Sequence, residues 1–206
     1  MVVRSQARVA QPRVTPARRV DLLDGLIAIF LAEGFLHLSV EDLARRLACS
    51  KSTLYQVAAS KEQVITTVVR EVFRRSAERI EVALDAVDDP FARLHTYLVG
   101  IADELQPGSP AYFADVDAFA PAHEIYDRNT RIAAERVQEL VRAAAPTSTV
   151  DAAFTGAVAA LVFTAIQRGE ITRTTGLDDA TAYRELAELV TAGISRHDTP
   201  VERTSS

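Results

Sequence analysis

Lys51, Ser52, Thr53, Tyr55 and Gln56 form a short row of hydrogen-bond donors around one apolar anchor, Leu54. At helical spacing these side chains suit the reading of a nucleic-acid surface. A Gln amide can pair with adenine, and a hydroxyl or an ammonium can hold a phosphate oxygen. A helix so short and polar also reads as a solvated connector between better helices. Other chemistry finds little support. His37, His95, His123 and His197 are scattered along the chain. There is no Ser or Cys nucleophile signature, no Gly-rich phosphate loop and no ligand cluster at metal spacing. His123 with Asp127 at i, i+4 supplies two metal ligands without a third. Neither an enzyme nor a cofactor is expected.

The elements that must hold this row are marked by caps. Ser39 precedes the apolar-periodic Val40, Leu43, Ala44 and Leu47, with Asp42 three residues on in a capping-box arrangement. Ser50 offers a second N-cap ahead of Lys51, and Ser60 with Gln63 a third. Two short helices joined by a tight turn form the unit that sets its second helix in the DNA major groove. Upstream, residues 17–33 are predicted to be an amphipathic helix with a stripe at Val20, Leu23, Ile27, Phe30 and Leu31, ended by Gly34. Phe35 and Leu38 continue the core, so residues 17–60 read as a three-helix DNA-binding domain. Arg18 and Arg19 sit poorly at the positive end of a helix; phosphate contact or ordinary surface charge accounts for them equally.

At these residues the chain resembles the DNA-binding segment of the tetracycline-repressor (TetR) family. Gly34, Phe35, Ser39, Ala44, Ser50, Thr53, Leu54, Tyr55, Ser60, Lys61 and Glu62 match its pattern in order. Ala48 stands where the family usually has Gly, and Gln56 to Ala59 replace a segment usually rich in aromatics. A left-handed Ala would cost about 1–2 kcal/mol. The side-chain chemistry and the resemblance together give Arg18, Ser39, Lys51, Ser52, Thr53, Tyr55, Gln56 and Lys61 as the candidate DNA contacts, and the resemblance implies that Lys61 is at a phosphate-contacting position.

Charge is distributed to match. The 206 residues carry a net charge of −5. Residues 1–75 nevertheless hold 12 Lys and Arg against 7 Asp and Glu, so the excess of acid lies downstream. Residues 1–16, with Arg4, Arg8 and Arg13, read as a basic, flexible arm, either laid in the minor groove or solvated. The single cysteine, Cys49, excludes an intrachain disulfide framework and is expected to act as a small hydrophobe in the turn. No apolar segment follows the N-terminal charges, and the most apolar run, residues 157–166, is too short to cross a bilayer. A cytoplasmic protein without membrane contact is expected.

Scarce Gly and Pro with abundant Ala and Leu favour an all-α protein of about nine helices. Residues 61–88 read as one long helix leaving the DNA-binding domain. Further helices are predicted over 91–105, 111–119, 122–145, 150–171 and 178–194, with 172–177 as a linker and 198–206 as a disordered tail. Residues 61–197 would thus form a helical domain. The resemblance assigns it ligand binding through its middle helices and homodimerisation through its last two. Small residues at Ala153, Gly156, Ala157 and Ala160 favour close helix approach there. Candidate pocket residues are Tyr97, Tyr112, Phe113, Phe119, His123, Tyr126, Asn129 and Phe163, with Asp117 as a polar anchor. Each aromatic among them reads equally as plain core. The function expected is a ligand-responsive, homodimeric repressor of double-stranded DNA bearing a palindromic operator, with a small-molecule effector. The alternative is an all-helical carrier or protein-interaction module whose DNA binding has degenerated.

Overall fold

The computed structural model describes residues 15–146 and 150–195. The arm residues Arg4, Arg8 and Arg13, His197 and the C-terminal tail lie outside them. The chain is all-α, with no strand among the described residues. Its helices are α1 (Pro16–Glu33), α2 (Val40–Arg46), α3 (Lys51–Leu54), α4 (Lys61–Asp85), α5 (Pro90–Leu105), α6 (Pro110–Ala118), α7 (Ala120–Ala144), α8 (Ala152–Gln167), α9 (Glu170–Thr175) and α10 (Asp179–Ser195).

Local chemistry sets most of the starts. Ser39 and Asp42 form a reciprocal capping box, while Ser50 and Ser60 accept the N–H groups of Thr53 and Gln63. Thr15, Asp89, Ser109 and Asp151 cap α1, α5, α6 and α8 in the same way. Pro16, Pro90 and Pro110 occupy first helical turns, where a missing N–H has no consequence. Pro90 and Pro110 therefore begin helices that were expected to start one residue later, at 91 and 111. The predicted helix over 150–171 is two: Gly169, left-handed at φ 66°, ends α8 and starts α9.

The α1 stripe also differs from expectation. Its buried line is Leu22, Leu26 and Phe30, while Val20 is 50% exposed and Leu23, Ile27 and Leu31 are half-buried. Both α4 and α6 pack against the helix, and this packing, which the stripe could not show, sets the buried line.

Burial falls into two clusters. In the first, Leu26, Phe30, Phe35, Leu43 and Leu54 pack with Val64, Ile65, Val68 and Val69 of α4, and with Tyr112, Val116, Ile125 and Tyr126. The second joins Ile80 and Leu84 of α4 to Leu94, Leu98, Val137, Leu140, Phe163, Ile166 and Leu186. Each such side chain, fully buried, stabilises the fold by roughly 1.5–3 kcal/mol. The 25-residue α4 thus passes through both clusters, over about 38 Å at 1.5 Å per residue.

Candidate nucleic-acid interface and ligand cavity

The α2–α3 turn keeps the tight form that Gly usually permits. Ala48 adopts φ 48°, and among the described residues no other non-glycine has positive φ. Cys49 then donates its N–H to the Ala44 carbonyl at 2.9 Å, which closes the turn. Its side chain packs half-buried at the edge of the first cluster, and burial pushes the thiol pKa up, as expected of a small hydrophobe.

Four-residue α3 is held by Leu54, which is fully buried, with Val57 buried just behind it. Lys51 and Tyr55 are exposed, Tyr55 at 43%. Lys51 pairs with Glu41 of α2. The hydroxyls of Ser52 and Thr53 turn back to Ser50 Oγ at 2.7 and 2.8 Å. Gln56 is half-buried, and its main-chain carbonyl accepts from Arg19 Nη1 at 3.0 Å. Arg18 reaches the Leu47 carbonyl at 3.5 Å, so the first turn of α1 lies beside the end of α2 and the end of α3. Ser39 is taken up by its capping box. Lys61 Nζ donates to the Leu36 carbonyl at 2.9 Å. The predicted contact residues thus gather on one end of the molecule, around α3. Arg45, unremarked in the sequence, joins them with 73% of its side chain exposed, bonded to Asp42 at 2.5 Å. Its signal was its place among three cations, Arg45, Arg46 and Lys51, in one short helix pair.

This end is tied to the body by α6. Asp115 accepts the main-chain N–H groups of Phe35 and, at 2.8 Å, Leu36. Ser109 N–H donates to the Leu31 carbonyl at 2.7 Å. Gly34 makes the approach feasible: at φ 81° a Cβ there would lie 2.5 Å from Asp115 Oδ2 and 3.0 Å from the Ala111 carbonyl oxygen. Phe35 stacks edge-on to Tyr112 and Phe119. Those two residues belong to this junction, and Tyr112 is fully buried with its hydroxyl unbonded and its pKa raised by burial.

A cavity of about 190 Å³ lies among α4, α5, α7, α8 and α10. Of the candidate pocket residues, Tyr97, Tyr126, Asn129 and Phe163 line it. Phe73, Ser76 and Tyr183, none of them among the candidates, also line it. Phe113 and Asp117 instead border a surface cleft of about 550 Å³ with Gln167 and Thr172. His123 sits between Asp117 and Asp127 at 3.3 and 3.4 Å, apart from the cavity. Among the described residues no group of three or more His, Cys, Asp or Glu is placed to hold a metal ion.

Two arginine–carboxylate pairs tie α4 to α7 and to α5 beside this cavity. Arg136 of α7 grips Glu81 through Nε and Nη2 at 3.1 and 2.9 Å. Arg79 reaches Glu104 of α5 through Nε at 2.7 Å and again through Nη2. The Arg79 pair and the Ser76 hydroxyl outweigh the upward push of burial and hold the Glu104 carboxyl below its ordinary pKa.

Residues 22–68, from α1 into α4, match the profile of bacterial regulatory proteins of the tetR family. Over these residues the chain is similar to the tetR-family head. Solved structures extend the likeness beyond the head. A transcriptional regulator from Saccharomonospora viridis in complex with choline is 15% identical, with 87% of this chain and 98% of that one covered at a TM-score of 0.70. A TetR-family regulator from Streptomyces coelicolor is 16% identical, with 86% and 95% covered at 0.67. FadR from Bacillus subtilis in complex with stearoyl-CoA is 12% identical, with 85% and 98% covered at 0.57. No protein of curated function matches in sequence. Across its described residues the chain has the fold of tetR-family regulators. No described helix is long and apolar enough to cross a membrane.

Proposed function

We propose that the chain is a ligand-responsive, homodimeric transcriptional repressor that binds a palindromic operator. The observation that carries this is the double use of α4. Val64, Ile65, Val68 and Val69 close the core beneath the reading helices, while Phe73, Ser76, Ile80 and Glu81 of the same helix line the cavity. A ligand that favours another tilt of α4 must move α3 with it. Lys51, Ser52, Thr53, Tyr55 and Gln56 face the operator, with Gln56 the base-edge candidate because its amide can pair with adenine. Phosphates fall to Lys61, the Tyr55 hydroxyl, Arg18 and the start of α2 at Ser39.

A second copy would cover an apolar face that this protomer leaves in water. Phe154 and Leu161, seven residues apart on α8, and Leu189 on α10 are each 70–72% exposed. Two heads joined there would meet successive major grooves about 34–36 Å apart. The choline and stearoyl-CoA bound by two relatives support effector binding in this fold, and their unlike chemistry leaves the effector of this chain open.

Retention of DNA from upstream of the protein's own coding sequence, titrated with salt, tests the reading. A palindrome held far above bulk DNA, with a steep salt slope, is expected. Transcription from that DNA should fall when the protein is added. Weak, sequence-indifferent retention would instead mark a carrier with a degenerate head.

A further inference from the structure

The walls of the cavity point to the chemical class of its ligand, on the footing that the cavity is the effector site. Five aromatic rings border it: Phe73, Tyr97, Tyr126, Phe163 and Tyr183. Phe73 meets Tyr126 edge to face at 5.6 Å, and Phe163 lies 5.4 Å from Tyr183. Aromatic faces present negative charge and attract cations that have lost their water.

The charged groups on the walls lean the same way. Glu81, Glu104 and Arg136 line the cavity. Arg136 is committed elsewhere, with Nε and Nη2 on Glu81 and Nη1 on Glu139 at 2.8 Å. An anion arriving there would meet two carboxylates already in possession. Glu104 is doubly paired as well, its two oxygens on Arg79 Nε and Nη2, but Arg79 is not among the lining residues, and the Glu104 side chain is only 18% exposed. On the walls themselves two carboxylates, Glu81 and Glu104, stand with one guanidinium, Arg136. No lysine lines it.

We infer that the cavity takes a small organic cation, an ammonium on a compact apolar body, with its charge at Glu104 and its body among the rings. At about 190 Å³ it is somewhat larger than the roughly 150 Å³ that admits benzene, so one ring and a compact head fill it. A cation at Glu104 competes with Arg79 and loosens the tie between α4 and α5. Ligand class and regulation are thereby joined at one carboxylate.

Titration calorimetry on the full chain tests this with benzyltrimethylammonium, its neutral carbon isostere neopentylbenzene, and phenylacetate. The cation should bind at least about tenfold more tightly than the isostere, and phenylacetate more weakly than either. Glu104→Gln should weaken the cation by a similar factor and leave the isostere unchanged. The comparison of compounds on the unaltered protein needs no variant to fold. Equal binding of cation and isostere, tighter phenylacetate, or no binding by any of the three overturns the assignment. Cation binding that leaves operator retention untouched upholds it and rejects the regulatory reading instead.

Discussion

The Asp115 carboxylate on α6 accepts the main-chain N–H of Phe35, 80 residues earlier, and Leu36 N–H joins it at 2.8 Å. One side chain of the body thereby satisfies two orphan donors where α1 gives way to α2. Asp115→Ala leaves both without that acceptor and should destabilise the fold by about 1–3 kcal/mol. Asp115→Asn, which keeps one acceptor oxygen, should cost less. The shift of the urea midpoint measures both, and equal stability of Asp115→Ala and the parent would refute the tie.

Ala48 holds the α2–α3 turn at φ 48°. Glycine adopts that conformation without the Cβ penalty, partly offset by its freedom in the unfolded chain. Ala48→Gly should raise stability by about 0.5–1 kcal/mol, read as a higher denaturant midpoint with an unchanged slope. A fall in the midpoint would show the turn to be relaxed as it stands.

Lys61 and Gln56 should fail in different ways. Lys61→Ala is expected to weaken every DNA sequence alike and to lower the salt slope by about one. Gln56→Ala should change preference at one base pair per half-site. Quantitative gel shifts on a set of single-base operator variants separate the two. Uniform losses from both substitutions would abolish the division of labour.

Leu161 and Leu189 lie on the open apolar face of α8 and α10. A carboxylate there would have to be buried unpaired in a joined pair, so Leu161→Glu or Leu189→Glu should yield monomers in sedimentation velocity while leaving the protomer folded. Palindrome affinity should fall with them. A parent protein that sediments as a monomer at the concentrations used for DNA binding would remove the proposal.

Glu71 titrates at about 2, below the ordinary 4.5, chiefly because Arg74 hydrogen-bonds it; burial opposes the shift and Arg75 reinforces it. The folded state therefore binds this proton less readily than the unfolded chain. Its contribution is complete above about pH 4.5 and is lost as the pH falls toward 2. Acid unfolding of Glu71→Gln should show a shallower decline across that window than the parent. Parallel curves would mean that the Arg74–Glu71–Arg75 cluster adds nothing to stability.

Punctuation was what the sequence expressed most clearly. Ser39, Ser50 and Ser60 each cap the helix they were read to start, because capping is a contact between near neighbours. Gly34 likewise ends α1. Longer-range choices were not legible. Asp115 and Asp117 differ by two positions on α6, and only the docking of α1 decides that Asp115 becomes the anchor at the junction. Tyr112 and Tyr126 both show an aromatic at helical spacing, yet Tyr112 fills the junction while Tyr126 borders the cavity. Tyr183 escaped notice because it reaches the cavity from α10, which periodicity marks only as a stripe.

The reading helix α3 sinks only Leu54 fully into the protein, and its remaining residues stand at the surface or half-way to it. Substitutions at its exposed positions should alter folding by no more than about 0.5 kcal/mol. On the proposed reading of α3, target preference can therefore drift in a lineage almost free of any stability constraint. A duplicated copy of such a gene could acquire a new set of promoters within a few changes, while its switching machinery stays as inherited.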